Sequence, residues 1–488
     1  MAYAGGPWRS QDGELMRSMS DLAERYVFDH LPVFTQNLFV SMAGQQRFRN
    51  RFSDHFHAAL EQWRVTIEGP EEVLKEIQRE RLLRLVERAH EHSPFYKDVP
   101  APSYASDAVE AIEETLSNFP VLEKRTYRDN TDKIIARDIP SRVMRRGMTS
   151  GTTGTALRLY YTRETEAEEY ASVWRLREQL GVGLHDPHFT FTGKIIVPVT
   201  QTRAPYWRNN SYSNQLLFSL YHMSPKNLEL YVDRLHETDA VYVNGYPSAL
   251  HLVAREMLAT GTTLTRGQLK AVFTSSESLL AFQREDIEEA FGAKVWDRYG
   301  SAEFAVSMTG CSEQNLHVDM EYCIVEVEAI EETDDYVRGE LLVTGLANNA
   351  TPFIRYRIGD VGTRLKKPCP CGRPGDVFSD VDGRVEDFIV TPSGRMIGRM
   401  DHIFKSMDQV EEAQILQTTP EAIEVVFVPG ASFDSTTETK LRREIRARLG
   451  DEISVKLHGV TEIGREPNGK FRAVKSTIGK LASSRGAR

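Results

Sequence analysis

Five segments between residues 240 and 296 decide the fold: AVYV (240–243), SALHLVAREML (248–258), AVF (271–273), AFQREDIEEAF (281–291) and AKVW (293–296). Short apolar runs alternate with longer runs of helical spacing, the pattern of strands joined by crossover helices. Such alternation implies an α/β fold with a largely parallel sheet. Upstream, Leu157 to Tyr161 and Lys194-Ile195-Ile196-Val197 read as further strands. Ser18 to Glu91 reads as helical, with Leu22, Tyr26, Leu31, Phe34 and Leu38 near helical spacing and a charged amphipathic run, Glu76 to His90, ended by Pro94. Downstream, Glu340 to Arg357 and Ile389 to Ile397 have a more antiparallel, turn-rich look. A small α+β unit follows Arg384, with helices expected near Met407–Gln417 and Thr437–Leu449 and strands at Ile423–Val428 and Ser454–His458. The expected division is a large α/β, multi-sheet domain over residues 1–383, opening with a helical extension to about residue 101, and a small α+β domain over 384–488.

At 488 residues the chain has room for about three domain-sized units. A formal charge of −10 argues against a nucleic-acid partner held by a basic surface. There is no run of about 18 apolar residues, so no membrane span is expected, and Met1 to Asp12 lacks the apolar core of a signal peptide. Four cysteines are too few for a disulfide framework and suit a reducing cytoplasm.

Thr149-Ser150-Gly151-Thr152-Thr153-Gly154 interleaves hydroxyls with two glycines, a turn that suits phosphate oxygens. It is not a Walker loop, because Thr155-Ala156 stands where Lys-Ser/Thr would be required. Asp297 to Glu303 follows the strand ending at Trp296. There Tyr299 offers a ring face for a purine, Gly300 permits close approach, and Glu303 is a hard ligand for a divalent cation. Asp360, in Arg355-Tyr356-Arg357-Ile358-Gly359-Asp360, offers a carboxylate to ribose hydroxyls. Gly383-Arg384-Val385-Glu386-Asp387 and Asn468-Gly469-Lys470-Phe471-Arg472 complete the series. Each alone is an ordinary solvated turn; their order along most of the chain is what carries weight.

That series resembles the ANL adenylating enzymes, and more narrowly the phenylacetate–CoA ligase and CapK-like branch. The narrower likeness rests on Phe218 to His222, Asn244 to Ser248, Thr274 to Glu277, and His317 to Glu321, extended by Glu411 to Gln417 and Gly469 to Arg472. The resemblance implies an adenylation domain followed by a mobile C-terminal domain. It implies that Thr149 to Gly154 close over ATP phosphates and that Ser276, Glu277 and Tyr299 line the adenine pocket, with Gly300 permitting close approach of the nucleotide. Glu303 would support Mg²⁺, and Asp360 would bind ribose. Arg384 would begin the hinge, although Glu386 stands where the family has aspartate. Tyr221-His222 resembles an aromatic-plus-histidine gate at the acyl pocket; the other assignment for His222 is a packed or surface histidine.

The expected activity is ATP-dependent activation of a carboxylic acid, aromatic by family branch, followed by transfer to coenzyme A. A carboxylate attacking an α-phosphate unites two anions, so positive charge must meet the transition state. Lys470 is assigned that task. The acceptor stays open between CoA, an amine and a carrier-protein thiol. The rivals are a catalytically silent ATP-binding module, disfavoured by intact Glu303, Asp360 and Lys470, and a kinase, disfavoured by the missing Walker lysine. Cys311, His317, Cys369 and Cys371 supply three thiolates and an imidazole, a closed zinc set of structural type, against the alternative of reduced cysteines in a loop. Cys323 is expected in the core. The helical N-terminal stretch is expected to pack on the large domain or to make a homodimer contact.

Overall fold

The computed structural model describes residues 28–67, 69–148, 157–382, 388–397, 400, 403, 409–430, 432–464 and 473–478. Three helices lead the described chain: α1 (Val33–Arg51), α2 (Asp54–Thr66) and α3 (Glu71–His92). Pro32 and Pro70 stand just before α1 and α3, where a missing N–H costs nothing. Pro94 disfavours helical backbone at Ser93, which turns extended and ends α3. Phe56, Leu60 and Trp63 of α2 and Leu82, Leu85 and Val86 of α3 are buried in the main core of the large domain. Helices α2 and α3 therefore pack on the rest of the chain, as one of the two arrangements expected for the helical N-terminal stretch requires. Next come α4 (Ala108–Ser117), capped by Asp107, α5 (Lys124–Ile134), the antiparallel hairpin β1 (Arg145–Met148) and β2 (Arg158–Tyr161), and α6 (Arg163–Gln179).

A twelve-stranded sheet forms the body. Its strands are β3 (His188–Thr192), β4 (Trp207–Asn210), β5 (Gln215–Ser219), β6 (Tyr242–Gly245), β7 (Ala271–Ser275), β8 (Val295–Gly300), β9 (Ser307–Gly310), β10 (Leu316–Val318), β11 (Cys323–Glu332), β12 (Tyr336–Gly345), β13 (Tyr356–Leu365) and β14 (Val377–Asp382). Their order is β11-β12-β13-β14-β10-β9-β8-β7-β6-β3-β5-β4. The run β5-β3-β6-β7-β8 is parallel and every other pairing is antiparallel. Helices α7 (Pro225–His236), α8 (Pro247–Thr260) and α9 (Ala281–Phe291) are the crossovers. Cys323 is buried at the start of β11, as expected.

The chain leaves β3 toward β5 but leaves β6 toward β7, on the other side. The carboxyl ends of β3 and β6 are thus a topological switch point, where diverging loops open a crevice.

Beyond the sheet lie the short hairpin β15 (Ile389–Val390) and β16 (Met396–Ile397), then β17 (Val410–Thr419), β18 (Ala422–Pro429), α10 (Ser435–Leu449), β19 (Ser454–Gly459) and β20 (Val474–Ser476). The last four strands form a sheet of order β19-β18-β17-β20 whose inner face packs Ile415, Val425 and Val474 against Leu441, Ile445 and Leu449.

Two expectations need correction. The stretch Lys194 to Val197 is a loop beyond β3, not a strand. Its apolar residues serve two cores: Ile195 joins the C-terminal cluster, while Ile196 and Val197 pack with Val40 and Leu217. The helix expected at Met407–Gln417 is instead strand β17 from Val410 on, with Met407 and Asp408 outside the described residues. Glutamate, alanine, glutamine and leucine favour helix locally, but pairing with β18 and β20 overrides that preference.

Candidate active site and metal centre

The carboxyl ends of β3, β5, β6, β7 and β8 carry most of the described residues expected at the site. After β5, Leu220 to His222 form a single 3₁₀ turn. Tyr221 Oη donates to the Gly193 carbonyl beyond β3 (2.8 Å). A Cβ on Gly193 would stand 3.2 Å from the Tyr246 ring, so glycine lets the ends of β3 and β6 meet. Ser276, just past β7, holds left-handed backbone with φ 72°, a costly conformation for a non-glycine residue and one that gathers at functional sites. Glu277 Oε2 accepts the backbone N–H of Ser248 (3.0 Å) in the first turn of α8, where a negative charge suits the helix dipole.

At the end of β8, Tyr299 Oη donates to Asp360 Oδ2 on β13 (2.7 Å). Gly300 comes next, where a Cβ would lie 2.7 Å from Arg298 Nη1. Glu303 is buried, and its Oε1 accepts from Tyr356 Oη (3.2 Å). Asn348 Nδ2 donates to the carbonyls of Tyr160 (3.0 Å) and Glu303 (3.4 Å), and Thr351 Oγ1 to that of Tyr160 (2.9 Å). Strand β2 is thereby stitched to the Glu303 backbone. The structure so brings together Tyr299, Asp360 and Glu303. Thr149, Ser150, Gly151, Thr152, Thr153, Gly154, Arg384 and Lys470 lie outside the described residues.

His222 is buried and bonded at both ring nitrogens, to Ser219 Oγ through Nδ1 (2.8 Å) and to the Pro198 carbonyl through Nε2 (3.1 Å). A carbonyl only accepts, so Nε2 carries the proton and Nδ1 accepts from Ser219. Tyr206 stacks on the ring, with centroids 4.9 Å apart. Burial, reinforced by Arg395, pulls the pKa of His222 down to about 3. As pH falls below about 6.5 the unfolded chain therefore takes a proton that the folded chain refuses, and stability is lost at about 1.4 kcal/mol per pH unit until about pH 3. The loss in stability between pH 7 and pH 5, measured by urea unfolding, should be smaller by about 2 kcal/mol in His222→Gln than in the wild type. Equal losses would mean that His222 protonates inside the fold.

Arg395, on the loop before β16, donates to the Tyr221 carbonyl (3.0 Å) and pairs with Glu452 (2.5 Å). It joins the Tyr221-His222 turn to the C-terminal unit, a link that nothing in the local sequence announces.

Sulfur and imidazole gather at the other end of β9 and β10. The ligand atoms of Cys311, His317, Cys369 and Cys371 all lie within 4.8 Å of one another. Cys311 and Cys369 Sγ are 3.7 Å apart, and Cys371 Sγ is 3.3 Å from His317 Nε2. A tetrahedron with Zn–S bonds of about 2.3 Å has edges of about 3.8 Å, so the cluster has the dimensions of a closed zinc site. His317 Nδ1 faces the Pro374 carbonyl (3.4 Å), which leaves the Nε2 lone pair toward the cluster. Burial, then Arg373, pulls the His317 pKa down to about 4, so the imidazole is neutral at pH 7. Burial pushes the Cys311 thiol up to about 12, whereas Cys369 falls against the pull of burial through hydrogen bonds that include Asn315 Nδ2 (3.4 Å). Gly372 takes φ 80° between Cys371 and Arg373. Arg373 then reaches Asp319 (3.1 Å), which also binds Arg175 (2.5 Å); Arg175 in turn holds Glu321 (2.8 Å). This buried network ties the knuckle to α6 and keeps Asp319 ionised: burial alone would raise its pKa, but Arg175 and Arg373 hold it low.

No helix among the described residues is long and apolar enough to cross a membrane. A family model for the CapK C-terminal domain matches residues 389–477. Protein CapK of Staphylococcus aureus is 27% identical over 459 residues, 93% of this chain and 99% of that protein. Indoleacetate–lysine synthetase of Pseudomonas savastanoi is 26% identical over 67% of this chain and 80% of its own length. Phenylacetate-coenzyme A ligase of Thermus thermophilus is 25% identical over 66% and 72% respectively. Among solved structures, 2-hydroxyisobutyryl-CoA ligase in complex with its acyl-AMP and CoA superposes with a TM-score of 0.53 at 19% identity, covering 85% of this chain and 92% of that one, a likeness of fold.

Proposed function

For a chain that resembles the ANL adenylate-forming enzymes, and CapK and the phenylacetate–CoA ligases in particular, we propose ATP-dependent adenylation of a carboxylic acid followed by transfer of the acyl group to coenzyme A, with release of pyrophosphate and AMP. The observation that carries this proposal is the Tyr299–Asp360 hydrogen bond at the end of β8, beside buried Glu303 and the β1–β2 hairpin. An adenosine laid there would place its base against Tyr299, Gly300, Ser276 and Glu277 and its ribose hydroxyls at Asp360. Its phosphates would run toward Thr149 to Gly154. Glu303 is the residue to hold Mg²⁺, which when bound offsets phosphate charge. Lys470 meets the charge that builds as the acid carboxylate attacks the α-phosphate, and the C-terminal domain, from Arg384 on, carries that lysine. His222 holds the Tyr221 turn in place at the wall of the acyl pocket. Aromatic residues at that wall, Tyr221 and Tyr246, favour a flat apolar acid.

Cys311, His317, Cys369 and Cys371 fit a structural zinc, and their free thiols suit a reducing cytoplasm.

A second acceptor is favoured by one observation: a relative of nearly equal identity is an indoleacetate–lysine synthetase, whose name specifies an amine acceptor. Incubation with ATP, Mg²⁺ and an active acid separates the two. AMP that accumulates only on addition of CoA supports the thioester; AMP that accumulates only with lysine or another amine supports amide formation and sinks the CoA assignment.

A further inference from the structure

The turn that carries Tyr221 is held from two sides. From α7 of the large domain, Tyr231 Oη donates to the Ser219 carbonyl (2.7 Å) and Asn227 Nδ2 to that of His222 (2.8 Å). The carbonyls of Tyr221 and Met223 accept instead from the β15–β16 hairpin, through Arg395 Nη1 (3.0 Å) and the Met396 backbone N–H (2.6 Å). That hairpin is anchored to the C-terminal sheet. Gln417 of β17 bonds both the N–H (2.8 Å) and the carbonyl (2.6 Å) of Val390, and Ile389 and Ile397 pack in one cluster with Ile415 and Leu449. The buried Arg395 side chain completes the bridge, donating also to the Leu449 carbonyl at the end of α10 and to Glu452 (3.1 Å from Nε). A planar guanidinium fixes the spacing of the groups it joins, so the Tyr221 carbonyl is set at one distance from the C-terminal unit.

At its other end Tyr221 reaches the large sheet: its Oη bonds Gly193 beyond β3, next to the Tyr246 ring. One tyrosine thus joins the C-terminal unit, through its backbone, to the wall assigned to the acid, through its ring. Were the hairpin to depart, Ser219 and His222 would keep these donors while Tyr221 and Met223 would lose theirs. The turn would loosen at the residue beside the pocket without unravelling.

Resting on the adenylation reading, which puts the acid beside Tyr221, we propose that Arg395 is a positioning residue for the acid substrate. Through it, docking of the C-terminal unit tightens the acyl pocket, and a bound acid in turn favours the docked arrangement. The two effects are one coupling free energy and are equal in size. Arg395 acts through the Tyr221 turn and not by contact with the acid.

Pyrophosphate exchange on the full-length protein tests the proposal, with phenylacetate, indoleacetate and hexanoate as probe acids. Arg395→Met should raise the KM for the acid about tenfold and leave the KM for ATP within about twofold. Arg395→Lys should fall between, since one ammonium does not span the Tyr221 carbonyl and Glu452 as the fork does. Equal rises for acid and ATP, or a fall in kcat with both KM values unchanged, would mean that Arg395 only supports the fold, and would overturn the proposal. Amide hydrogen exchange, read without acid or ATP, checks the geometry apart from catalysis. In Arg395→Met the Met396 amide and residues 220–223 should exchange faster, with β7 and β8 unchanged; unaltered exchange at Met396 would also overturn the proposal. The two claims fail separately. Pyrophosphate exchange without the acid-selective KM rise removes Arg395 and leaves adenylation standing, whereas no pyrophosphate exchange with any of the three acids removes the adenylation of such acids and the role of Arg395 with it.

Discussion

Replacing Lys470 by alanine is expected to slow acid-dependent ATP–pyrophosphate exchange by about 10²–10³-fold. The size follows from what the residue is asked to do. A carboxylate approaching an α-phosphate drives two anions together, and the barrier is largely electrostatic. A positioned ammonium touching both sets of oxygens lowers that barrier most where the charges are closest, in the transition state. The second half-reaction poses a different problem: a thiol or amine attacks a mixed anhydride whose leaving group, AMP, departs readily. Acyl transfer from an acyl-adenylate supplied in solution should therefore fall far less than exchange does. Lys470→Arg keeps the charge but not the compact point donor, and an intermediate rate is expected. A drop of less than tenfold in exchange, or an equal drop in both half-reactions, would remove Lys470 from the role given to it.

The other large effect concerns the zinc proposed at Cys311, His317, Cys369 and Cys371. Protein purified without chelator should contain about one zinc per chain, and Cys369→Ser or Cys311→Ser should lose it. Because these ligands join β9, β10 and the loop before β14, the loss should cost a few kcal/mol, roughly 5–10 °C in Tm for a domain of this size. Burial explains the direction. Without a metal the Cys311 thiol is pushed up to about 12 and stays protonated, so binding must displace protons and should weaken as pH falls. Metal analysis and thermal unfolding check both points. Zinc-free protein of undiminished Tm, with variants that unfold at the same temperature, would leave four reduced side chains and no metal centre. The damage should be read first through stability, since the cluster stands apart from the residues assigned to nucleotide.

Within the parallel half of the sheet β6, β7 and β8 were legible because each begins as a short apolar run, and the crossover helix α9 matches the expected residues 281–291 at both ends. Tyr299 and Gly300 could be found because they close such a strand, and Glu303 because it follows directly after. The Cys/His group was legible as a set of residue types, yet its closure depends on β10 pairing with both β9 and β14, which spacing alone does not fix. What local sequence hid was long-range. The run Lys194 to Val197 has strand-like composition, but its side chains are drawn toward two different cores. Residues of β17 favour helix one by one and yield to their strand neighbours. Asn348 and Arg395 sit in unremarkable loops, and their importance lies in carbonyls nearly 190 residues away for Asn348 and 174 away for Arg395.

Whether the protein adenylates an acid is decided by the products of ATP turnover. Purified protein incubated with ATP, Mg²⁺ and a panel of mono- and dianionic aryl and aliphatic acids should release pyrophosphate only when an acid that it accepts is present. AMP should appear in equal amount once the acceptor is added, with no ADP. Acid-dependent ADP and phosphate would contradict the account and make the protein a phosphate-transferring enzyme, and ATP binding without turnover for any acid would make it a silent relative of the fold.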